Sequence, residues 1–351
     1  MYDFIIVGQG LAGSAVAIQL LKRKYRILVI DQRSANNSSR IAAGLFNPVT
    51  GKKMVKTWLA DVLFPYLFDF YRDVEQRTGT PFFHPEPLYR PFLSVGEQNE
   101  WMAKSVDPTY EKYIQEVTTQ PSWPQIKDPF GGLILKQCGF INTTAYIHAA
   151  RILIEAGGTL LNELFRPQLV SFKNDFVSYG NYQARKIIVC SGVHSSIWFN
   201  WLPVRPLKGE TLKIKTGYQE SVIINRGIYL VPVTKGEWRV GSTYQFNDKS
   251  ESITTEARQE LEIKMQDLIA FPYEVLSQEW GMRPTTPDRR PLLGVHPEFD
   301  KLIVFNGLGT KGVSLAPYFS EMLVHWLENK VTLIKEVDIK RYKLLYSGSP
   351  T

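Results

Sequence analysis

Residues 3–13 read DFIIVGQGLAG, and residues 26–31 read RILVID. The first five are a short, β-branched apolar run closed by Gly8, the pattern of a parallel strand buried on both faces. Residues 11–24 place Leu11, Ala15, Ile18 and Leu21 at helical spacing. Residues 26–30 read as a second buried strand, so the segment predicts a right-handed strand–helix–strand unit. Its turn, Gly8-Gln9-Gly10-Leu11-Ala12-Gly13, is a GxGxxG. Gly8 permits the tight turn, Gly10 lets the backbone approach a pyrophosphate, and Gly13 lets the helix lie close to the strand. The helix N-terminus, at Leu11 and Ala12, offers free N–H groups and a positive dipole end to the phosphates. Asp31 ends the second strand, 18 residues beyond Gly13 and next to Gln32. A carboxylate there accepts hydrogen bonds from ribose hydroxyls. It disfavours NADP by charge repulsion but does not separate FAD from NAD.

The rest of the chain is long enough for a deep core and a second domain, at 351 residues. A hydrophobic content of 44% with 21% charged residues argues against disorder and fibrous classes. Only Cys138 and Cys190 occur, which leaves no disulfide framework and no CxxC motif. A reducing, cytoplasmic setting is expected, with no signal peptide and no membrane span. The net charge of +7 is spread over small groups such as Lys22-Arg23-Lys24 and Lys52-Lys53 with Lys56. That distribution favours a solvated basic face over a nucleic-acid surface. Five scattered histidines show no ligand spacing, so no metal is expected. Neither a GxSxG elbow nor a P-loop is present.

Further along, residues 55–77 read as a helix, and the Pro-rich residues 81–92 as edge strands and loop. Residues 143–157 read as a helix stopped by Gly157-Gly158, and residues 187–190 as a buried strand before Ser191-Gly192. Alternating strands fill 209–242, with a hairpin turn near 236–238, and a helix covers 254–270. A last buried strand, 302–305, meets a glycine-rich loop and a closing helix over 312–328. Buried parallel-type strands therefore lie at the start, near 187 and near 302, with antiparallel-type strands between them. The expected architecture is an α/β, Rossmann-like FAD-binding domain with an inserted, mixed antiparallel α+β substrate domain. The first takes residues 1–78, 140–203 and 284–346, the second 79–139 and 204–283, and 347–351 form a polar tail.

Several blocks carry a family resemblance in order along the chain: Arg40-Ile41-Ala42-Ala43-Gly44, Ile188 to Gly192, Pro203 to Glu210, Tyr229-Leu230-Val231-Pro232, Trp280-Gly281-Met282-Arg283-Pro284, and Gly307-Leu308-Gly309-Thr310-Lys311-Gly312. With them the sequence resembles the FAD-dependent amine and amino-acid oxidoreductases that include D-amino-acid oxidase, glycine oxidase and sarcosine oxidase. The resemblance implies that Arg40, Ala43, Gly44, Ser191 and Gly192 line the cofactor. Gly307, Gly309, Thr310, Lys311, Gly312 and Val313 form a second strand–loop–helix device, whose dipole can stabilise negative charge on the flavin. Lys311 either adds to that stabilising effect or is simply solvated.

In such enzymes the arginine at the position of Arg283 clamps the substrate carboxylate, because a planar guanidinium meets it with two parallel hydrogen bonds. The tyrosine at the position of Tyr229 also reaches the carboxylate. A structural ion pair for Arg283 and a core role for Tyr229 are the alternatives. Sarcosine oxidase-like members hold flavin through a cysteine where this chain has Gly281, so FAD is expected to bind non-covalently. The expected reaction is oxidation of a C–N bond in an amino acid or carboxylate-bearing amine, with hydride passing to flavin N5 and oxygen or another acceptor taking the electrons. No protein acid or base is named as catalytic. The rival readings are oxidation of a carboxymethylaminomethyl group on tRNA wobble uridine, 2-hydroxyacid dehydrogenation, and a flavin scaffold without turnover.

Overall fold

The apolar run at the start becomes the strand Tyr2–Val7, the centre of an eight-stranded sheet in the computed structural model of the protein, which describes residues 1–32, 37–51 and 53–346. Lys52 and the tail 347–351 lie outside the described residues. Tyr2–Val7 pairs in parallel with Ile27–Ile30 on one side and with Tyr182–Val189 on the other. Thr159–Leu161 extends the sheet beyond Ile27–Ile30, and Leu302–Asn306 pairs in parallel with the last residues of Tyr182–Val189. All four residues of Ile27–Ile30 and all five of Leu302–Asn306 are buried, as strands covered on both faces must be. Leu292–Val295 closes this edge antiparallel to Leu302–Asn306, an added strand the apolar patterning did not reveal.

Helices Leu11–Lys22, Thr143–Gly157 and Gly312–Leu327 cover one face of the sheet. The first lies closest to the sheet for a steric reason. A Cβ built on Gly13 would overlap the Gly8 carbonyl oxygen. Gly8 itself has φ +95°, and its own Cβ would stand 2.8 Å from the Cys190 carbonyl oxygen. Two glycines thus allow helix, turn and neighbouring strand to meet at one point.

A second eight-stranded sheet runs in the order Tyr273–Thr285, Arg205–Thr216, Glu237–Gly241, Ile228–Thr234, Ile223–Arg226, Leu88–Pro91, Gly132–Leu135 and Ile114–Thr118. All its neighbours are antiparallel except Ile223–Arg226 with Leu88–Pro91. One face joins the large core that includes Leu11 and Phe46; the other, with Tyr89, Leu212 and Trp238, packs on helix Thr255–Gln266. Expectation and structure differ also at residues 55–60 and 88–91, and the helix expected over 254–270 ends at Gln266. The helix expected from residue 55 begins at Ala60, because Val55–Lys56 pairs with Val49–Thr50 in a small hairpin. Leu88–Pro91, read as edge because of its prolines, is interior, with Ile223–Arg226 on one side and Gly132–Leu135 on the other. Its one proline lies at the strand's end, where a missing N–H costs least.

The Gly13 contact fixes the distance between helix and sheet, so Gly13→Ala should force the two apart. A loss of about 3 kcal/mol or more is expected, read as a lower urea midpoint with an unchanged slope. A midpoint within error of the parent would show that the helix can shift without cost.

Candidate functional site

The glycine turn is held from three directions. Its Gln9 N–H donates to Asp31 Oδ1 at 2.8 Å, and the buried Gln9 amide donates to the Ile147 carbonyl at 3.0 Å. The Leu11 N–H donates to Ser39 Oγ at 3.1 Å, and a Cβ on Gly10 would stand 2.8 Å from that oxygen. Gly10 therefore makes room for Ser39, a neighbour that sequence reading did not identify. Ser39 belongs to the short helix Ser38–Ile41, capped by Asn37. Arg40, on the same turn, is near enough to Asp31 to favour its charged form. Burial outweighs that help and the Gln9 bond, and the Asp31 carboxyl titrates above its ordinary value. Leu11, Ala12 and Ala43 are buried, while Gln32 is exposed. Gly44, at φ +71°, lies so close to strand Gly139–Ile141 that a Cβ would overlap the Ile141 carbonyl oxygen.

Asn306, also missed, joins two of the expected loops. This buried side chain donates to the Gly192 carbonyl and to Ser195 Oγ, both at 2.7 Å, and accepts the Gly307 N–H at 2.8 Å. Ser191 and Gly192 are thereby fixed beside Gly307. Gly309 donates its N–H to the Pro284 carbonyl at 3.0 Å, which ties the same loop to the end of strand Tyr273–Thr285. Gly312 and Val313 open the closing helix, with Tyr71 donating to the Val313 carbonyl at 2.8 Å. Thr310 is exposed. Lys311 is not solvated: its ammonium donates to Thr50 Oγ1 at 3.0 Å and Thr57 Oγ1 at 3.1 Å. Burial, with Arg290 and Arg289 nearby, brings its pKa down to about 8.

The second sheet presents Arg283 and Tyr229 on one face, and the sequence Lys208-Gly209-Glu210 explains how. Side chains alternate across a strand, so Gly209 faces one way while Lys208 and Glu210, both buried, face the other. Arg283 fills the space above Gly209, where a Cβ would overlap its guanidinium. Its Nη1 reaches the Thr243 carbonyl at 3.4 Å, and Tyr244 stacks against it at 5.2 Å. No carboxylate pairs with Arg283 among the described residues. Tyr229 lies over a second glycine, since a Cβ on Gly241 would stand 2.7 Å from its hydroxyl. Burial raises the phenol pKa above its ordinary value, against the pull of Arg283, so the hydroxyl stays a donor.

On the opposite face Lys208 Nζ contacts Asp248 at 2.6 Å and Ser250 at 2.8 Å, while Glu210 accepts from the Thr254 hydroxyl and from Gln278. These bonds pin the loop that follows Tyr244. Gly281 meets Ser38 and Ile41, and Arg239 donates to the Ile41 carbonyl while pairing with Glu279 at 2.8 Å. The face carrying Arg283 and Tyr229 is thus docked on the segment that holds Ser39 and Arg40. Two helix N-termini and Arg40 as donors, one carboxylate as acceptor, and glycines at each close approach together fit a dinucleotide.

Residues 3–326 match the DAO family, described as FAD dependent oxidoreductase. The chain is 25% identical over 344 residues to the bifunctional protein ThiO/ThiG of Synechocystis sp., covering 92% of this chain and 51% of that protein, so it spans about half of that relative. It is 22% identical over 373 residues to a glycine oxidase of Geobacillus kaustophilus, covering 94% of each. Among solved structures, the iminodiacetate oxidase of Chelativorans sp. superposes with a TM-score of 0.82 at 17% identity, over 97% of this chain and 98% of that one. No helix among the described residues is long and apolar enough to cross a membrane.

Asp31→Ala removes the acceptor both for a ribose hydroxyl and for the Gln9 N–H. FAD affinity, titrated by flavin fluorescence, should fall by about 1–3 kcal/mol. Unchanged affinity would mean that the ribose is held elsewhere.

Proposed function

Because the chain belongs to this family of FAD-dependent oxidoreductases, we propose that it oxidises the C–N bond of an amino acid or of a secondary amine bearing a carboxylate. The observation that carries the reading is Arg283: half-buried, set over Gly209 beside the Tyr229 hydroxyl, and without a carboxylate partner among the described residues. A guanidinium so placed is a receptor for a carboxylate from outside the chain. Glycine and iminodiacetate, after which the similar oxidases are named, are both amines that carry a carboxylate.

The residues proposed to hold FAD are Gly8, Gly10, Leu11, Ala12, Gly13, Asp31, Gln32, Arg40, Ala43, Gly44, Ser191, Gly192 and the run from Gly307 to Val313, excepting Leu308. Bound there, FAD supplies the acceptor for the hydride that leaves the carbon next to nitrogen. The protein's part is positioning. Arg283 forks onto the carboxylate and fixes its plane, and Tyr229 donates to one of its oxygens. Tyr244, stacked on the guanidinium, limits the freedom of the clamp. Lys208 and Glu210 hold the loop that carries Tyr244, from behind the sheet. The amine must bind deprotonated, and water hydrolyses the resulting imine. Since Cys138 and Cys190 are buried with thiol pKa values pushed up, neither supports a covalent flavin link. The two separate sheets support a cofactor domain of residues 1–78, 140–203 and 284–346 and a substrate domain of 79–139 and 204–283.

Anaerobic bleaching of bound flavin by glycine or sarcosine tests the reading. Arg283→Lys keeps charge but loses the fork, and Arg283→Ala loses both. The reduction rate should fall in the order parent, Lys, Ala, with Ala losing about 3–5 kcal/mol of transition-state binding while FAD content stays constant. Full rates in Arg283→Ala would overturn the clamp.

Gly209→Ala tests the same geometry from below. Its Cβ should displace the guanidinium and slow bleaching as Arg283→Ala does, with FAD retained. A parent-like rate in Gly209→Ala would show that the guanidinium does not need that space.

A further inference from the structure

Arg90 is a further arginine on the face of the sheet that carries Tyr229. Leu88, Ile223 and Val231 all pack in the large core on that face, whereas Tyr89, Ile224 and Leu230 pack in the opposite one. Alternation along Leu88–Pro91 puts Arg90 on the side of Leu88. Ile224 pairs with Tyr89, so Asn225 is the neighbour of Arg90 across the strands, and Asn225 pairs directly with Tyr229. Tyr229, Asn225 and Arg90 therefore form one row, with the Tyr229 and Arg90 main chains roughly 10 Å apart, two inter-strand spacings.

Arg90 is only 7% exposed, yet its Nε is buried without a hydrogen-bond partner, and its guanidinium makes no hydrogen bond among the described residues. The nearest carboxylate, Glu97, stands 3.8 Å from that Nε, beyond hydrogen-bonding reach. Glu97 is already committed elsewhere. Arg226 Nη1 binds its two oxygens at 2.8 and 2.7 Å, and the Leu93 N–H donates to one of them at 3.0 Å. Two arginines thus share one carboxylate, and one positive charge is left over in a desolvated place. Burial, with the charge of Arg226, brings the Arg90 pKa down to about 10, so the group is still charged at neutral pH. A buried cation left with only a distant share of one carboxylate is poorly compensated, and an anionic ligand completes its pairing. Asn225, half-buried and without a hydrogen bond among the described residues, adds a donor between the two ends of the row.

Resting on the amine-oxidation reading above, we propose that Arg90 and Asn225 form a second anion subsite, which selects amine substrates carrying an additional acidic group on the arm remote from the Arg283 carboxylate. The enzyme then takes a doubly anionic amine, held at both ends with the reacting C–N bond between.

The probes are N-carboxymethyl amines with an unbranched arm of two to four methylenes, ending either in a carboxylate or in a methyl group. Dissociation constants come from perturbation of the bound-flavin spectrum, and rates from anaerobic bleaching. The parent should favour the carboxylate-ended arm at least tenfold in binding. Arg90→Gln and, independently, Asn225→Leu should erase that preference while leaving the methyl-ended probe unchanged, and Arg90→Lys should restore part of it. Because Arg90 has only the 3.8 Å contact with a carboxylate that Arg226 already holds, Arg90→Met should melt no lower than the parent. A parent blind to the second carboxylate would overturn the subsite, as would an Arg90→Gln variant that weakens both probes equally or an Arg90→Met variant that unfolds. Preferential binding without bleaching would count against amine oxidation and still support the subsite.

Discussion

The contact between Gly13 and the Gly8 carbonyl sets the geometry on which the cofactor half of the molecule depends. Only with no side chain at position 13 does the first helix come close enough for its N-terminus to stand over the turn. From there the order propagates through hydrogen bonds. Asp31 takes the Gln9 N–H, the Gln9 side chain reaches Ile147, and Ser39 receives Leu11. Each bond tethers the turn to a different segment, so one steric allowance becomes a turn held from several sides.

The second sheet uses the same device with the opposite purpose. At Gly209 and Gly241 the missing side chains let functional groups lie down on the sheet rather than letting backbones meet. Arg283 and Tyr229 occupy those two hollows. A residue with even a methyl group at 209 and Arg283 in its present place cannot coexist. The flanking Lys208 and Glu210, turned to the other face, anchor the loop that brings Tyr244 onto the guanidinium. One three-residue stretch thereby serves both faces of a strand.

The buried charges separate into two kinds. Lys208 and Glu210 are almost wholly buried, and each is satisfied by several partners, which is the condition for a buried charge to be tolerated. Among the described residues Arg283 has no carboxylate partner, and Arg90 has only Glu97 at 3.8 Å, which Arg226 already holds. On the readings proposed above, that contrast, more than the presence of arginine, is what suits the pair to take an anion.

How much of this was legible beforehand follows from the range of the forces involved. The strand–turn–helix–strand at residues 2–31, the glycine positions and the acid at Asp31 rest on local sterics and short-period patterning, so the chain itself determined them. The ordered motif blocks likewise carried the cofactor class, Arg283 and Tyr229. Ser39, Asn306, Arg239 and Arg90 were invisible because each acts on residues far away in the chain: Asn306 on Gly192 and Ser195, Ser39 on Leu11, Arg239 on Ile41. The interior place of Leu88–Pro91 escaped for the same reason. The prolines of residues 81–92 are a local signal for an edge, while the strand's neighbours come from residues 132–135 and 223–226. A sequence states which side chains are available and where the backbone must turn. Which buried charge finds a partner, and which is left to bind a ligand, is decided only when distant strands are laid side by side.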